Sequence, residues 1–548
     1  MKVTNLHILR KLVLFNSCMI FIIFVSCDYK AKPIEKVTLI PYPQHIEYIG
    51  AKFEISSIIE IELDETLINE GFLLNPYVQE WNKLINAENS DSKHIKISIE
   101  VDNTIHENDE AYQLSISKSR IKIIGKTDKG CFYGIQSLIQ LVDVIDNKIW
   151  LPQIDIIDYP KFKWRSYMLD ESRYFFGKDF VFKLLDELAA LKVNKFHWHL
   201  TDDAGWRLEI KKYPLLTEIG SKRDSTKIED KVNGITFGTK LYDGKPHSGF
   251  YTQEDIKDVI EHAESLKIDI IPEIEMPGHS SAAIAAYPWL GVIGELTKVP
   301  TKFGKHKDSY NIADPKVISF LHDVLDEVSD LFPYEVVHIG GDEVLFGAWN
   351  KSKEIQDYLK THHLKSPADA QIKFTNEISN YLEGKGKRMM GWNEIMGHNI
   401  HDFKNTEDYQ VQTSLSKKSI IHFWRGDKKL IKEAALNGHE IVYSRSGDTY
   451  LDYPYKSVSL EKMYKMNPFP EGLEPQYHKN ILGIGIQMWT EWAPIYQDVE
   501  YKTFPRVAAF AEATWSRTGD YEDFVNRVKK YSDRWITKEI NFPVAEIK

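Results

Sequence analysis

Glu335-Val-Val-His-Ile-Gly-Gly-Asp-Glu343 (EVVHIGGDE) reads as a short strand that runs through His338 into two glycines and then two adjacent carboxylates. Neighbouring residues of a strand point to opposite faces, so Asp342 and Glu343 cannot act together as strand residues. Gly340-Gly341 is expected to turn the chain so that both side chains enter one pocket. Just upstream, Asp314-Pro315 supplies an N-cap and a first-turn proline, and Ile318, Leu321, Leu325 and Val328 repeat at helical spacing. A helix feeding a strand whose end is polar is the unit to look for elsewhere.

It recurs across the chain. Strand-like segments fall at Ser166–Asp170, Lys195–Leu200, Ile268–Glu273, Glu335–Ile339, Arg388–Trp392, Ile420–Trp424, Glu440–Tyr443 and Gly483–Met488. Helical patterns lie between them. Val181, Leu184, Leu185, Leu188 and Leu191 make one; Ile256, Val259, Ile260, Ala263 and Leu266 make another, behind a capping box at Thr252 and Asp255. Ser366-Pro367 opens a further helix. Eight such repeats predict an α/β fold, a (β/α)8 TIM barrel over 161–520.

Ahead of it, β-like runs at Val37–Ile40, Ile55–Leu63, His94–Val101, Tyr112–Ser117 and Arg120–Gly125, with a helix over Cys131–Val144, predict a small α+β accessory domain over 36–160. Residues 521–548 form a C-terminal helical tail. At the N-terminus, Lys2, Arg10 and Lys11 precede an apolar run to Val25, then Ser26-Cys27. This reads as a secretory leader of lipoprotein type over 1–27, with Cys27 the lipidated residue and 28–35 a polar tether. Only Cys131 then remains, which argues against a disulfide framework. The expected location is outside the cytoplasm, anchored to a bacterial membrane through Cys27 alone. The net charge of −11 argues against nucleic acid as a partner.

Active sites of such barrels sit at the C-terminal strand ends. There the sequence places Asp170 and Arg173; His197-Trp-His199 with Asp202-Asp203; Glu273, Glu275 and His279; His338 to Glu343; Trp392-Asn-Glu394; His422 and Trp424; Tyr450 and Asp452; and Trp489 with Glu491. Two chemistries compete. The HxH pair with His279, His338 and nearby acids suits metal-assisted hydrolysis. Paired acids with Trp392, Trp424 and Trp489 as an apolar box suit glycoside hydrolysis, although adjacent acids cannot flank a sugar from both sides. A catalytically inactive glycan-binding lipoprotein is a third reading.

The residues resemble glycoside hydrolase family 20, the β-N-acetylhexosaminidases. His338-Ile-Gly-Gly-Asp342-Glu343 matches the signature around that family's catalytic acid. Trp164-Arg165 with Leu169-Asp170-x-x-Arg173 resembles its opening strand, and Asn194 to Asp203 with Gly205-Trp206-Arg207 its second. Pro272-Glu-Ile-Glu275-Met-Pro-Gly-His279, Trp392-Asn-Glu394, Tyr450-x-Asp452 and Trp489-x-Glu491 resemble later ones. Ser166, Ala204 and Glu275 stand where the family more often has Gly, Gln and Asp.

The resemblance implies exo-cleavage of terminal N-acetylhexosamine with retention, the substrate's acetamide serving as nucleophile, with no cofactor and no metal. It implies Glu343 as acid and base, Asp342 and Tyr450 on the acetamide, and Trp392, Trp424 and Trp489 around its methyl group. Arg165, Asp452 and Glu491 are assigned to the sugar hydroxyls. Asp202, Glu275, His279 and His338 are expected to form a supporting shell. The expected partners are N-acetylhexosamine-terminated oligosaccharides or glycoconjugates.

Overall fold

All eight expected strands form, and they close on one another in chain order as a parallel barrel. They are Trp164–Asp170, Lys195–His199, Asp269–Glu273, Val336–His338, Arg388–Trp392, Ile420–Phe423, Glu440–Tyr443 and Ile481–Met488, called first to eighth below. The computed structural model describes residues 36–547 apart from 65, 86–93, 228–229, 233–234, 238–240, 402–404 and 517–518. The leader, Cys27 and the tether expected over 28–35 lie outside the described residues. Among the described residues, no helix is long and apolar enough to cross a membrane.

The barrel floor is plugged by inward side chains: Trp164, Ile271, Val336, Met390, Ile420, Val442 and Leu482 pack as one cluster. Pairing register sets the layer above it. Asp170 lies opposite His199, His199 opposite Glu273, and Glu273 opposite His338. Polar residues of four different strands are thereby held level at the C-terminal rim.

Helices Lys178–Ala190, Gln253–Ser265, Pro315–Leu331 and Pro367–Gly384 follow the first four strands. Their starts are fixed locally. Thr252 and Asp255 form the expected capping box, Asp314 accepts from Lys316 N–H, and Ser366 accepts from Asp369 N–H. The alternation has one gap. Between the fifth and sixth strands the described residues hold only 3-10 turns, Asn393–Met396 and Thr406–Tyr409. That side of the rim is therefore built from loop.

The accessory domain is a mixed seven-stranded sheet. Strands His45–Ile55, Lys148–Asp158, Tyr112–Ile116, Arg120–Gly125, Ile95–Val101 and Ile59–Leu63 lie in that spatial order, with Asp143–Ile145 added beside Lys148–Asp158. Helices Ile68–Leu84 and Asp128–Leu141 cover it. The sequence reading differs here in several places, and strand His45–Ile55 is among the elements it does not foresee. Val37–Ile40 is not a strand; Leu39 and Ile40 are buried, and Gln140 meets the Ile40 backbone through both its Oε1 and its Nε2. Ile55–Leu63 is split, because Ile55 ends one strand and Ile59 begins the next. Helix Ile68–Leu84 and strand Lys148–Asp158 each contain a proline, Pro76 and Pro152, which hides their pattern. Pro152 sits where the pairing slips between Gly50–Gln153 and Phe53–Leu151, a bulge that spares the ladder its missing N–H.

Candidate active site

The Gly340-Gly341 turn does what the sequence predicts, by a definite geometry. Both glycines adopt left-handed backbone, φ 64° and 92°, and Glu343 follows at φ 52°. A Cβ on Gly340 would stand 1.7 Å from Glu275 Oε2, so only glycine fits above that carboxylate. The turn breaks the strand alternation and brings Asp342 and Glu343 to one opening.

Glu343 is partly exposed, 19% by side chain, and has three cationic or potentially cationic neighbours. Lys305 Nζ is 3.0 Å from Oε1, His279 Nε2 is 3.8 Å from Oε2, and His401 Nδ1 is 3.9 Å from Oε1. Asp342 is more enclosed. Its Oδ1 has no hydrogen-bond partner among the described residues, and His279 Nε2 is 3.8 Å from Oδ2. Burial pushes the Asp342 carboxyl well above the carboxylate range; His279 opposes this, while Glu394 and Glu343 add to it. Glu275, beneath the turn, is raised for the same reasons, burial first and then Asp342 and Glu273. The buried acids favour sharing a proton over two full charges.

His279 supplies the compensating cation. Burial works against its charge, but Asp202 and Asp342 outweigh that and hold its pKa well above the ordinary value. Its Nδ1 is 2.9 Å from Asp203 Oδ2 and 3.4 Å from Asp202 Oδ1. His279 also has left-handed backbone, φ 46°, at the start of the turn that carries it over Asp342.

Four aromatic rings make a box beside the acids, with Met168 at its base. Trp424 and Tyr450 lie parallel with centroids 6.1 Å apart, Trp392 is 5.9 Å from Trp489, and Trp489 is 6.1 Å from Tyr450. Buried carboxylates aim the indoles. Trp392 Nε1 donates to Glu273 Oε1 at 2.8 Å, and Trp424 Nε1 donates to Glu394 Oε2 at 2.9 Å. Trp392 also stacks on His422, 4.1 Å between centroids.

Glu273 is the hub of the layer below. His338 Nδ1 lies 2.8 Å from Oε1, and His199 Nδ1 lies 2.5 Å from Oε2. His197 Nε2 stands 2.9 Å from Oε2 but without hydrogen-bond alignment. The two rings of the HxH pair thus face inward together. Burial pulls His197 down to about 4, whereas for His199 Glu273 and Asp202 overcome burial and lift it to about 10. His197, Glu273 and His338, and separately Asp202, Asp203 and His279, are close enough to share a cation. Within these sets Glu273 accepts from the Trp392 indole and Asp203 holds His279 Nδ1.

One assignment is corrected. Arg165 is fully buried at the second position of the first strand, on the floor and away from the rim. It makes a bidentate pair with Glu110 of the accessory domain, 2.8 and 3.0 Å, and donates to the carbonyls of Phe162 and Lys192 at 2.8 Å each. Its guanidinium lies 4.9 Å over the Trp515 ring. The arginine at the rim is Arg173. Its Nη2 is 2.8 Å from Asp202 and 3.7 Å from Glu491, its Nη1 is 3.4 Å from Asp170, and it covers the Trp489 ring at 5.0 Å. Strand direction distinguishes the two: Arg165 stands at the start of the strand and Arg173 follows its end. Asp452 lies two residues beyond Tyr450 and is half-buried. Lys305 and His401 were not singled out by sequence; each comes from a loop far in sequence from Glu343.

Comparison with known proteins follows the same division. The profile of the glycosyl hydrolase family 20 catalytic domain matches residues 162–518, and that of family 20 domain 2 matches 36–159. A β-hexosaminidase of Porphyromonas gingivalis is 32% identical, across 97% of this chain and 69% of its own length. One from Vibrio furnissii is 32% identical, across 87% of this chain and 76% of its own. Among solved structures, a GH20 exo-β-N-acetylglucosaminidase from Vibrio harveyi in complex with N-acetylglucosamine superposes with TM-score 0.78 at 31% identity, covering 93% of this chain and 79% of that one. A β-N-acetylhexosaminidase from Bacteroides fragilis gives 0.75 at 28%, covering 93% and 97%.

Proposed function

The chain belongs to glycosyl hydrolase family 20, and we propose that it is a retaining exo-β-N-acetylhexosaminidase whose nucleophile is the substrate's own 2-acetamido oxygen. Family 20 is a known exception to the rule of two opposed carboxylates. The observation that carries the residue roles is the buried, unpartnered Oδ1 of Asp342 beside an aromatic box. It is an acceptor lacking a donor among the described residues, near an apolar cluster of aromatic rings.

On this reading the acetamide methyl enters between Trp392, Trp424 and Trp489. Tyr450 donates to the carbonyl oxygen and holds it in line with the anomeric carbon, a near-attack pose. Asp342 accepts from the acetamide N–H. As the carbonyl oxygen attacks, positive charge grows on that nitrogen and draws Asp342 towards its ionised form, the proton it shares passing to Glu275 while the His279 cation balances the new charge. Glu343 protonates the departing oxygen. An oxazolinium ion results, and Glu343 then takes a proton from the water that opens it. Arg173 takes the role the sequence gave to Arg165: with Glu491 and Asp452 it binds hydroxyls of the terminal sugar and closes that end, which favours exo-cleavage of terminal GlcNAc or GalNAc.

The test compares two aryl β-glycosides that differ only at C2. The 2-acetamido compound should turn over and the 2-hydroxy compound should not. Asp342→Asn should lower kcat on the former by about 10²–10³-fold. Equal turnover of both glycosides would remove the acetamide from the mechanism.

We also propose, from the leader sequence, that the chain is exported and held at a bacterial membrane by lipid on Cys27. Radiolabelled fatty acid should enter the wild-type protein and not Cys27→Ser. Label retained in that variant would refute the anchor.

A further inference from the structure

We propose that Glu171, which takes no part in the chemistry described above, is the positioning residue for Arg173: its buried side chain fastens the loop that presents that guanidinium to the terminal sugar. The inference rests on the hexosaminidase reading above and deepens it at the sugar-binding end of the site.

One loop, residues 171–177, joins the first strand to helix Lys178–Ala190 and carries Arg173. Side chains take up most of its N–H groups. Asp170 Oδ1 accepts from Ser172 at 3.0 Å and from Arg173 at 3.2 Å, and His247 Nε2 accepts from Phe175 at 2.9 Å. Glu171 Oε1 accepts from Phe176 at 3.0 Å and from Gly177 at 3.3 Å, so the loop folds back on the acid that begins it. The same acid grips the barrel wall. Strand alternation turns His197 and His199 inward and Trp198 outward. The Trp198 indole donates to Glu171 Oε2 at 2.6 Å, and the Tyr251 hydroxyl lies 2.7 Å from Oε1 and 2.6 Å from Oε2. Arg207 closes the base, with Nε donating to the Glu171 carbonyl at 3.0 Å and Nη2 to that of Ser172 at 2.6 Å.

The Glu171 side chain is fully buried, and burial pushes its carboxyl up to about 7 against the pull of Tyr251, Trp198 and the two amides. An acid is a costly way to fill such a place, where an apolar side chain would pack at no electrostatic cost. What the acid adds is acceptors, and each of its four partners is a donor. Three of the structures it ties together, the second strand, the segment before helix Gln253–Ser265 and the far end of the loop, surround the backbone of Arg173. That backbone decides where the guanidinium meets Asp202, Asp170 and Glu491. Arg173 Nε, buried and without a partner among the described residues, has the same dependence. A loop held at Asp170 alone would leave Phe176 and Gly177 loose, and an error of an ångström in a substrate-positioning residue is enough to be felt in binding.

The experiment uses the full-length enzyme and the aryl 2-acetamido glycoside. Glu171→Met keeps the volume and removes every acceptor; it should raise KM about tenfold, the scale of one charge-assisted hydrogen bond, with kcat within about twofold of wild type. Glu171→Gln keeps one acceptor oxygen and should raise KM only about threefold. It supplies the same readout if the methionine variant does not fold. Adding either change to Arg173→Met should leave KM within about twofold of Arg173→Met alone, because Glu171 acts through that side chain. A merely structural role predicts a lowered unfolding midpoint with KM unmoved, or KM losses that multiply in the double variant, and either result overturns the proposal. If the wild type does not turn over the glycoside, the hexosaminidase reading falls; if it does and both Glu171 variants keep the wild-type KM, this inference alone falls.

Discussion

Glu343→Gln should lower kcat/KM on an oligosaccharide by about 10²–10⁴-fold, the usual worth of a positioned general acid–base group. Glutamine keeps the volume and the left-handed backbone but cannot give up a proton. The loss should depend on the leaving group. A dinitrophenolate departs without protonation, so its first step is spared, while opening of the oxazolinium ion by water still lacks its base. The variant should therefore show a burst of dinitrophenol followed by slow turnover, and equal losses in both steps on a sugar leaving group. Wild-type rates on an unactivated disaccharide would mean that another group beside Glu343, His279 or His401 among them, carries the proton.

Arg165→Met and Arg173→Met should fail in opposite ways. Arg165 pairs with Glu110 in a buried contact that also holds Asn194 and Tyr133. Removing one partner of such a pair leaves an uncompensated charge and costs about 3–5 kcal/mol. A lowered unfolding midpoint with unchanged KM in the surviving folded enzyme is expected. Replacing Glu110 with Gln in the same chain should recover part of the loss, because the two sites are coupled. Arg173→Met should instead raise KM and lower kcat/KM, since Asp170, Asp202 and Glu491 lose their shared cation at the sugar pocket. If Arg165→Met raised KM with no loss of stability, the assignment of the two arginines would have to be reversed.

The barrel and the acid pair are legible in the sequence because their signals are local. Each strand is a short apolar run between helical patterns, and the polar residues fall where a strand stops. The accessory domain is less legible where a proline interrupts a regular element: Pro76 conceals a helix and Pro152 a strand, the latter at a shift in pairing register. A motif match does not say which end of a strand a residue occupies, and Arg165 lies at the start of its strand. His401 and Lys305 carry no local mark. They reach Glu343 only after the fold closes, from the loop between the fifth and sixth strands and from the loop after the third.

The two family segments meet near Pro160, and in sequence they could be cut apart there. The charges say otherwise. Arg165 on the barrel floor is answered by Glu110, and Lys192 and the Trp515 indole are both answered by Asp158, at 3.1 and 2.9 Å. A foreign accessory module grafted onto this barrel would have to bring two carboxylates to those places, or the floor would retain buried cations without counter-ions. For lineage as for engineering, the inheritable unit is therefore the pair, and substitutions in either half are filtered by the other.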